Sequence, residues 1–306
     1  MLLELFLLLL GIGFLVKGSD LLVDSTIRIA ISMGVSAMVV GMTMVAMGTS
    51  LPELVVGVDS AIRGTGQVSL GNVIGANLAN ICLILGVAAI IRSIKVSPSV
   101  AREDIPLTAV FISVLLIMSL DGVLNLIDGC ILVTLAAGYF YFVYARSKRE
   151  GIINGDSQNK NNVETRDLLI LITGIILVLS GGVLTVDAAI VLAEEMGISP
   201  YLIGVTIVAL GTTLPELTTG AIASWKGQGD IALGNSLGSV NVNTLLVLGT
   251  ASIIKPILVT EQIDIMIVLL SCILLVPMIL RGYRLSKWEG SFLILFYAVY
   301  IAFKVM

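Results

Sequence analysis

The sequence GMTMVAMGTSLPEL, which runs from Gly41 to Leu54, recurs as GVTIVALGTTLPEL from Gly204 to Leu217. Ten of the fourteen positions are identical, at a constant offset of 163 residues. Each copy contains a threonine, a second hydroxyl residue, a proline and a glutamate in otherwise apolar surroundings. The position of these two carboxylates decides both the fold and the function.

The composition is that of an integral membrane protein. Of the 306 residues, 57% are hydrophobic and only 12% are charged, far from the average of soluble domains. About ten apolar stretches approach the ~20 residues that span a bilayer as a helix, and they lack the alternation of a membrane barrel. We therefore predict an all-α membrane protein. The first stretch carries Glu4 and has no basic start, so we interpret it as a retained span rather than a signal peptide.

We predict ten spans arranged as two five-helix repeats. The spans lie near residues 2–31, 37–61, 69–91, 104–119 and 127–145, and near 167–193, 201–224, 232–253, 264–280 and 288–304. The first repeat covers 1–146 and the second covers 167–306. The polar, Gly- and Asn-rich stretch 147–166 between them predicts a linker loop.

Lysine and arginine residues predict the orientation, because cytoplasmic loops attract positive charge. With an external N-terminus, thirteen of them fall in cytoplasmic connections: Arg28, Arg92, Lys95, Arg102, Arg146, Lys148, Arg149, Lys160, Arg166, Lys226, Arg281, Arg284 and Lys287. Only Arg63, Lys255 and Lys304 fall outside, and Lys17 lies within the first span. We therefore expect both termini outside and the central loop in the cytoplasm.

The two copies of the motif are predicted to be inverted relative to each other, because five spans separate them and an odd number reverses direction. The same offset relates Asp24, Gly71, Asn72, Gly75 and Asn80 to Asp187, Gly234, Asn235, Gly238 and Asn243. Inverted repeats are typical of secondary transporters, in which interrupted helices bind substrate near the membrane midplane.

The proline of each motif interrupts its helix. Pro52 and Pro215 donate no amide hydrogen, so the carbonyl four residues earlier loses its helical partner. Freed carbonyls at membrane depth line a cavity or hold an ion. An alternative interpretation is a capping box of the form S/T-x-x-E, in which Ser50 and Thr213 only begin the next half-helix.

Glu53 and Glu216 are costly within a membrane span, where carboxylates usually have a function. Neither motif contains Lys or Arg, so a mobile cation is the natural counter-charge. In the third span of each half, one helix face presents Asn72, Ala76 and Asn80, or Asn235, Ser239 and Asn243. The glycines beside these asparagines predict close helix packing.

The candidate donors are all oxygens, which suits Ca²⁺, with its roughly six to eight oxygen ligands, and also Na⁺. The chain has no His, and Cys82, Cys130 and Cys272 are scattered through apolar runs. We therefore predict no transition-metal site, no disulfide and no catalytic group. The predicted ligands are the transported ions Ca²⁺ and Na⁺, with the lipid bilayer as surroundings and with no cofactor, nucleic acid or protein partner.

The paired motifs resemble those of a known family. GTSLPEL with GNVIGANLANI, and GTTLPEL with GNSLGSVNVNT, are similar to the two alpha-repeats of the cation/calcium exchangers, in particular sodium/calcium exchangers of archaeal and bacterial size. The resemblance covers essentially the whole chain and implies a ten-helix antiporter with four central ion sites. The ion ligands it implies are Glu53, Glu216, Thr49, Thr212, Ser50, Thr213, Asn80, Asn243 and Ser239, with the carbonyls of Ala46 and Ala209.

Two residues depart from the family pattern. Ala76 stands where the pattern has Ser, so one side-chain oxygen of a Na⁺ site is missing. Position 243 is Asn where potassium-dependent relatives have Asp, which implies a potassium-independent exchanger with a site charge of −2. The linker is also too short for the regulatory Ca²⁺-binding domains that some relatives carry.

We expect Na⁺/Ca²⁺ antiport by alternating access, with one chain as the working unit. Moving two unpaired carboxylates through an occluded state would cost several kcal/mol per ion, so only loaded forms should change conformation. Ca²⁺/H⁺ antiport is the main alternative, because a buried Glu also carries a proton, and a passive channel is a further one. Asp20, Asp24 and Asp187 either line an ion entrance or lie at the membrane surface, and the sequence favours neither.

Overall fold

The computed structural model describes residues 2–153, 163–196, 211–260 and 262–305, which are mostly helical. The helices are α1 Leu2–Met33, α2 Ala37–Thr49, α3 Leu51–Arg63, α4 Gly66–Ile91, α5 Val100–Asp121, α6 Leu126–Ile153, α7 Thr165–Glu195, α8 Leu214–Trp225, α9 Gly229–Ile254, α10 Gln262–Leu280 and α11 Lys287–Val305. Four two-residue strands connect them: β1 Ile94–Lys95, β2 Val123–Leu124, β3 Ile257–Leu258 and β4 Arg284–Leu285.

The all-helical membrane class is confirmed. In the described part of the chain, seven helices are long and apolar enough to cross a membrane, and the bent pair of α2 and α3 raises the number to eight. Helix α6 continues to Ile153, through the first residues of the predicted linker, whereas 154–162 of that linker lie outside the described residues. Residues 201–210 of the predicted seventh span also lie outside them, so the count of ten spans stays a prediction.

Equivalent helices of the two halves run antiparallel. Gly66, at the start of α4, lies against Ile257, just beyond the end of α9. Conversely, Gly229, at the start of α9, lies against Ile94, just beyond the end of α4. Antiparallel ribbons join the halves at both ends, since β1 pairs with β4 and β2 pairs with β3. The 163-residue offset relates Ile94 to Ile257, so the two ribbons are one type of contact made twice.

Helices α1 and α7 form an antiparallel pair, called here the α1/α7 unit. They approach through glycines: a Cβ atom on Gly18 would lie 2.8 Å from the amide nitrogen of Val178, and one on Gly181 would lie 2.7 Å from that of Leu15. Most buried hydrophobic side chains of the pair belong to one cluster, which also includes Val40 of α2. The main core unites α2 to α6 with α8 to α11. The unit is therefore packed as one body beside a larger one.

The glycine crossing gives a first testable prediction. We expect Gly18→Val to destabilise the protein by about 1–3 kcal/mol, because the new side chain overpacks against Val178. Gly13→Val is the matched control in the same helix, since a Cβ atom at Gly13 meets no atom within 4 Å. The measurement is the thermal unfolding midpoint in detergent, and equal midpoints for the two variants would contradict the close packing.

Candidate cation site

The first motif is bent where the sequence predicts an interruption. The axes of α2 and α3 differ by 46°, and Ser50 at the junction has φ −84° and ψ 10°. Neither Ser50 nor Thr213 caps the following helix with its side chain. The hydroxyl of Ser50 instead donates to Oε1 of Glu216 at 3.4 Å. The capping-box interpretation is therefore wrong, and the Ser50 hydroxyl faces the carboxylate of the other half.

The two motif carboxylates are completely buried. Glu53 and Glu216 each expose 0% of their surface, and they lie close enough for their charges to repel each other. Both oxygens of Glu53 and Oε2 of Glu216 have no hydrogen-bond partner among the described residues. Thr212 lies close to Glu53, as Thr49 does to Glu216, so each carboxylate faces a hydroxyl of the opposite half.

The helices that carry the carboxylates pack crosswise against the turns that carry Asn80 and Asn243. Helix α3, which carries Glu53, packs against the π-helical turn Val242–Val247 that contains Asn243. Helix α8, which carries Glu216, packs against the equivalent turn Ala79–Ile84 of α4. Each carboxylate-bearing helix therefore packs against the π-helical turn of the other half, and the site is built from both halves.

Glycines allow these helices to approach each other. A Cβ atom on Gly57 of α3 would lie 2.6 Å from a methyl group of Val247, and one on Gly220 of α8 would lie 2.9 Å from a methyl group of Ile84. The two contacts are related by the 163-residue offset. Gly238 of α9 faces the backbone of α2 in the same way, as its G-x-x-x-G spacing predicts.

Two hydrogen bonds that sequence reasoning missed also link the halves. The hydroxyl of Thr49 donates to Oδ1 of Asn235 at 3.2 Å, and that of Thr212 donates to Oδ1 of Asn72 at 3.4 Å. The sequence placed both asparagines on the correct helix face, and the shared offset of the four residues was the signal for the pairing. The Thr49–Asn235 end is buried, whereas the Thr212–Asn72 end is half-buried, so the site is more open at the latter.

Some of the remaining predicted ligand atoms already have hydrogen-bond partners, and others have none among the described residues. The amide of Asn80 donates to the carbonyl of Ala76 at 2.9 Å, which leaves its Oδ1 free among the described residues. Oδ1 of Asn243 and the hydroxyl of Ser239 are buried and likewise have no partner there. The Ala46 carbonyl already accepts the Ser50 amide at 3.0 Å, and the Thr49 hydroxyl lies 3.4 Å from it, where it is shared with the shorter bond to Asn235. Ala209 lies outside the described residues.

Comparison with known proteins agrees with this geometry. The family described as "Sodium/calcium exchanger protein" matches residues 3–145 and 167–306. The sodium/calcium exchanger MaX1 of Methanosarcina acetivorans is 31% identical, over 96% of both chains. Inner membrane protein YrbG of Escherichia coli is 34% identical, over 84% of this chain and 81% of its own. A solved structure of the sodium-calcium exchanger NCX_Mj superimposes with a TM-score of 0.88 at 32% identity, over 98% of each chain.

The helical fold and the comparisons together define a multi-pass membrane antiporter for cations. The chain belongs to the sodium/calcium exchanger family, within the cation/calcium exchanger superfamily. The resemblance read from the two motifs is thereby confirmed. The ions of this family, Na⁺ and Ca²⁺, are transported substrates rather than cofactors.

The cross-half hydrogen bonds give a second prediction. We expect Asn235→Ala to weaken Ca²⁺ binding by about tenfold, because Thr49 loses the partner that orients it beside the carboxylates. Thr250→Val is the control, since the Thr250 hydroxyl bonds only to carbonyls of its own helix. Ca²⁺ binding to purified protein is the measurement. An unchanged affinity in a folded Asn235→Ala variant would remove the orienting role.

Proposed function

We propose that this chain exchanges Ca²⁺ for Na⁺ across the membrane by alternating access, with Glu53 and Glu216 as the principal ion ligands. One observation carries the proposal. Among the described residues, each other buried carboxylate has a cationic partner: Asp104 with Arg146 at 2.8 Å, Asp167 with Arg28 at 2.6 Å and Asp264 with Lys304 at 2.7 Å. Glu53 and Glu216 are as deeply buried or deeper and lack such a partner, so their counter-charge is a mobile ion.

The chemistry of the donors favours Ca²⁺ and Na⁺. Six buried oxygens of the site accept no hydrogen bond from any described residue: both of Glu53, Oε2 of Glu216, Oδ1 of Asn80, Oδ1 of Asn243 and the hydroxyl of Ser239. Ca²⁺ takes about six to eight oxygens in flexible geometry. The proposed ligand set is completed by Thr49, Thr212, Ser50, Thr213 and the carbonyls of Ala46 and Ala209. The Ala46 carbonyl would join it only after releasing a present hydrogen bond.

The composition of the site, together with the resemblance to sodium/calcium exchangers, supports an electrogenic and potassium-independent exchange. Position 243 is the neutral Asn243, so Glu53 and Glu216 give the site a charge of −2. One Ca²⁺ or two Na⁺ neutralise this charge, and a third Na⁺ leaves a charge of +1. The resemblance to sodium/calcium exchangers implies that the third Na⁺ is carried. An exchange of three Na⁺ for one Ca²⁺ therefore moves one net charge, worth about 2.3 kcal/mol per 100 mV.

The architecture we propose has ten helices in two inverted five-helix repeats, covering 1–146 and 167–306. The antiparallel course of α4 and α9 and of α1 and α7 supports it. The distribution of Lys and Arg supports external termini and a cytoplasmic linker at 147–166. The carboxylate site draws on both halves of one chain, which supports a single chain as the transport unit.

Ca²⁺/H⁺ exchange is the second candidate, and the complete burial of both carboxylates favours it. Protonation neutralises a buried carboxylate as a cation does. The hydroxyl and amide oxygens around the two groups favour Na⁺, because a proton needs no such coordination shell.

Flux measurements test the coupling ion. In proteoliposomes loaded with Na⁺, we expect an outward Na⁺ gradient to drive Ca²⁺ uptake, and we expect Glu53→Gln to abolish that uptake because the site loses half of its charge. The control is Glu103→Gln, which alters a half-exposed carboxylate at the surface. Uptake that ignores the Na⁺ gradient would refute Na⁺ coupling, and uptake driven by a pH gradient without Na⁺ would establish the second candidate.

Membrane potential tests the stoichiometry. An inside-positive potential of 100 mV, imposed with valinomycin and external K⁺, should raise the equilibrium accumulation of Ca²⁺ by about fifty-fold, because one positive charge leaves the vesicle in each cycle. The same K⁺ without valinomycin should leave uptake unchanged. Accumulation that ignores the potential would indicate an electroneutral exchange, and a requirement for K⁺ itself would refute potassium independence.

A further inference from the structure

An ion-pair cluster fastens α1 to the end of α8. Lys226, which follows α8 directly, places its Nζ atom 2.6 Å from Oδ1 of Asp24 and 2.5 Å from Oδ1 of Asp20. Beside this cluster, the hydroxyl of Ser19 donates to that of Thr218 at 3.2 Å. All three α1 residues belong to the α1/α7 unit, and both partners belong to the larger body. The cluster therefore holds the two bodies together at one end of the molecule.

The repeat places the residues for a second ion pair at the equivalent positions, and in this structure that pair is not formed. The 163-residue offset relates Asp24 to Asp187 and Lys226 to Arg63. Arg63 instead donates from Nε to Oδ2 of Asp59 in its own helix, at 2.7 Å. Asp187 is exposed and pairs with no described residue. One of two equivalent pairs is thus closed while the other is open.

The helix packing and the exposure of the site follow the same asymmetry. Helix α1 packs along α8, whereas its equivalent α7 makes almost no contact with the described part of α3. The buried Asn235 lies near the start of α9, at the end closed by Lys226. The half-buried Asn72 lies near the start of α4, at the end where Arg63 is unpaired with α7. The cation site is closed where the ion pair is formed and more open where it is not.

We propose that the pairs Lys226–Asp24 and Arg63–Asp187 close in alternation, each holding the α1/α7 unit in one of the two states of the transport cycle. This inference rests on the proposed function, because alternation needs two states. In the second state Arg63 leaves Asp59 and binds Asp187, and Lys226 releases α1. These residues act on the position of the helices and do not contact the ions.

The two ion pairs, Lys226–Asp24 and Arg63–Asp187, are called latches here, and they differ in the partners available to each cation. Asp20, the second carboxylate bound by Lys226, corresponds to Val183, so Arg63 has only Asp187 as a partner on α7. Asp59, which competes for Arg63, has no acidic counterpart beside Lys226, because Ile222 stands there. Both differences favour the state with the Lys226 latch closed, which is the one described here.

Cross-linking tests the open pair. The chain carries Arg63→Cys and Asp187→Cys, with Cys82, Cys130 and Cys272 replaced by alanine, and is treated with a short, cleavable bis-thiol reagent. We expect a cross-link that blocks Ca²⁺ flux until the linker is cleaved. Adding Lys226→Met should raise the cross-linked fraction severalfold, because the competing latch is lost. Lys95→Met is the control, since Lys95 is exposed and lines the same surface cleft as Gly227.

The outcomes separate this proposal from the proposed function. If Na⁺-driven Ca²⁺ flux persists but the pair at 63 and 187 never cross-links in any mixture of Na⁺ and Ca²⁺, the alternating latch is refuted and the exchange stands. If wild-type protein shows no Na⁺-driven flux, the exchange fails, and cross-linking still decides the latch because it is read without transport. No effect of Lys226→Met on the cross-linked fraction would also refute the latch.

A second measurement needs no introduced cysteine. Lys226→Met should raise severalfold the apparent Kd for Ca²⁺ added at the Arg63 end, because fewer molecules are open there. Asp187→Asn should lower that value, because it removes the opposing latch. Shifts in the same direction for both variants would contradict alternation.

Discussion

Two carboxylates buried without a protein counter-charge are the constraint on which the rest of this structure depends. An uncompensated buried charge costs several kcal/mol, and within the described part of the chain Arg or Lys pairs with every other buried acid but not with Glu53 or Glu216. In the proposed function, cations or protons supply the missing counter-charge when they enter this site. Binding and the change of conformation become linked, because the cost of occluding the site falls when an ion is present.

The crosswise construction of the site follows from the same constraint. If each half built its own carboxylate pocket, one half could move without disturbing the other. Here Ser50 bonds to Glu216, and Thr49 bonds to Asn235, so hydroxyls of one half serve groups of the other. Glycines at 57 and 220 bring each carboxylate helix against the opposite π-helical turn. A central body built from both halves results, and the α1/α7 unit packs beside it through a second hydrophobic cluster that includes Val40 of α2.

The sequence predicts this site well where repetition carries the information. The duplicated GTSLPEL and GTTLPEL segments identify the carboxylates and the breaks, because proline removes a hydrogen bond in any context. Local rules fail where a distant contact competes with them. The capping box is absent because the Ser50 hydroxyl turns to a carboxylate 166 residues away. The first residues after Arg146 continue as helix to Ile153, and Arg146 itself is paired with the buried Asp104, a pairing that composition cannot reveal.

Positions at which the two halves differ affect the relative free energies of the two proposed states. A perfect inverted repeat would give two states of equal free energy. Ala76 opposite Ser239, and Val183 opposite Asp20, make them unequal. Such differences cannot set the direction of transport. That direction depends only on the ion gradients and the membrane potential, because the protein is unchanged after each full cycle. They determine which state is more populated in the absence of ions. If the binding-competent state is populated at a fraction f, the apparent Kd of the ions that bind it rises by a factor of 1/f. In the proposed exchange, sequence asymmetry therefore tunes the ion concentrations at which the protein works, while the carboxylate pair determines which ions are carried.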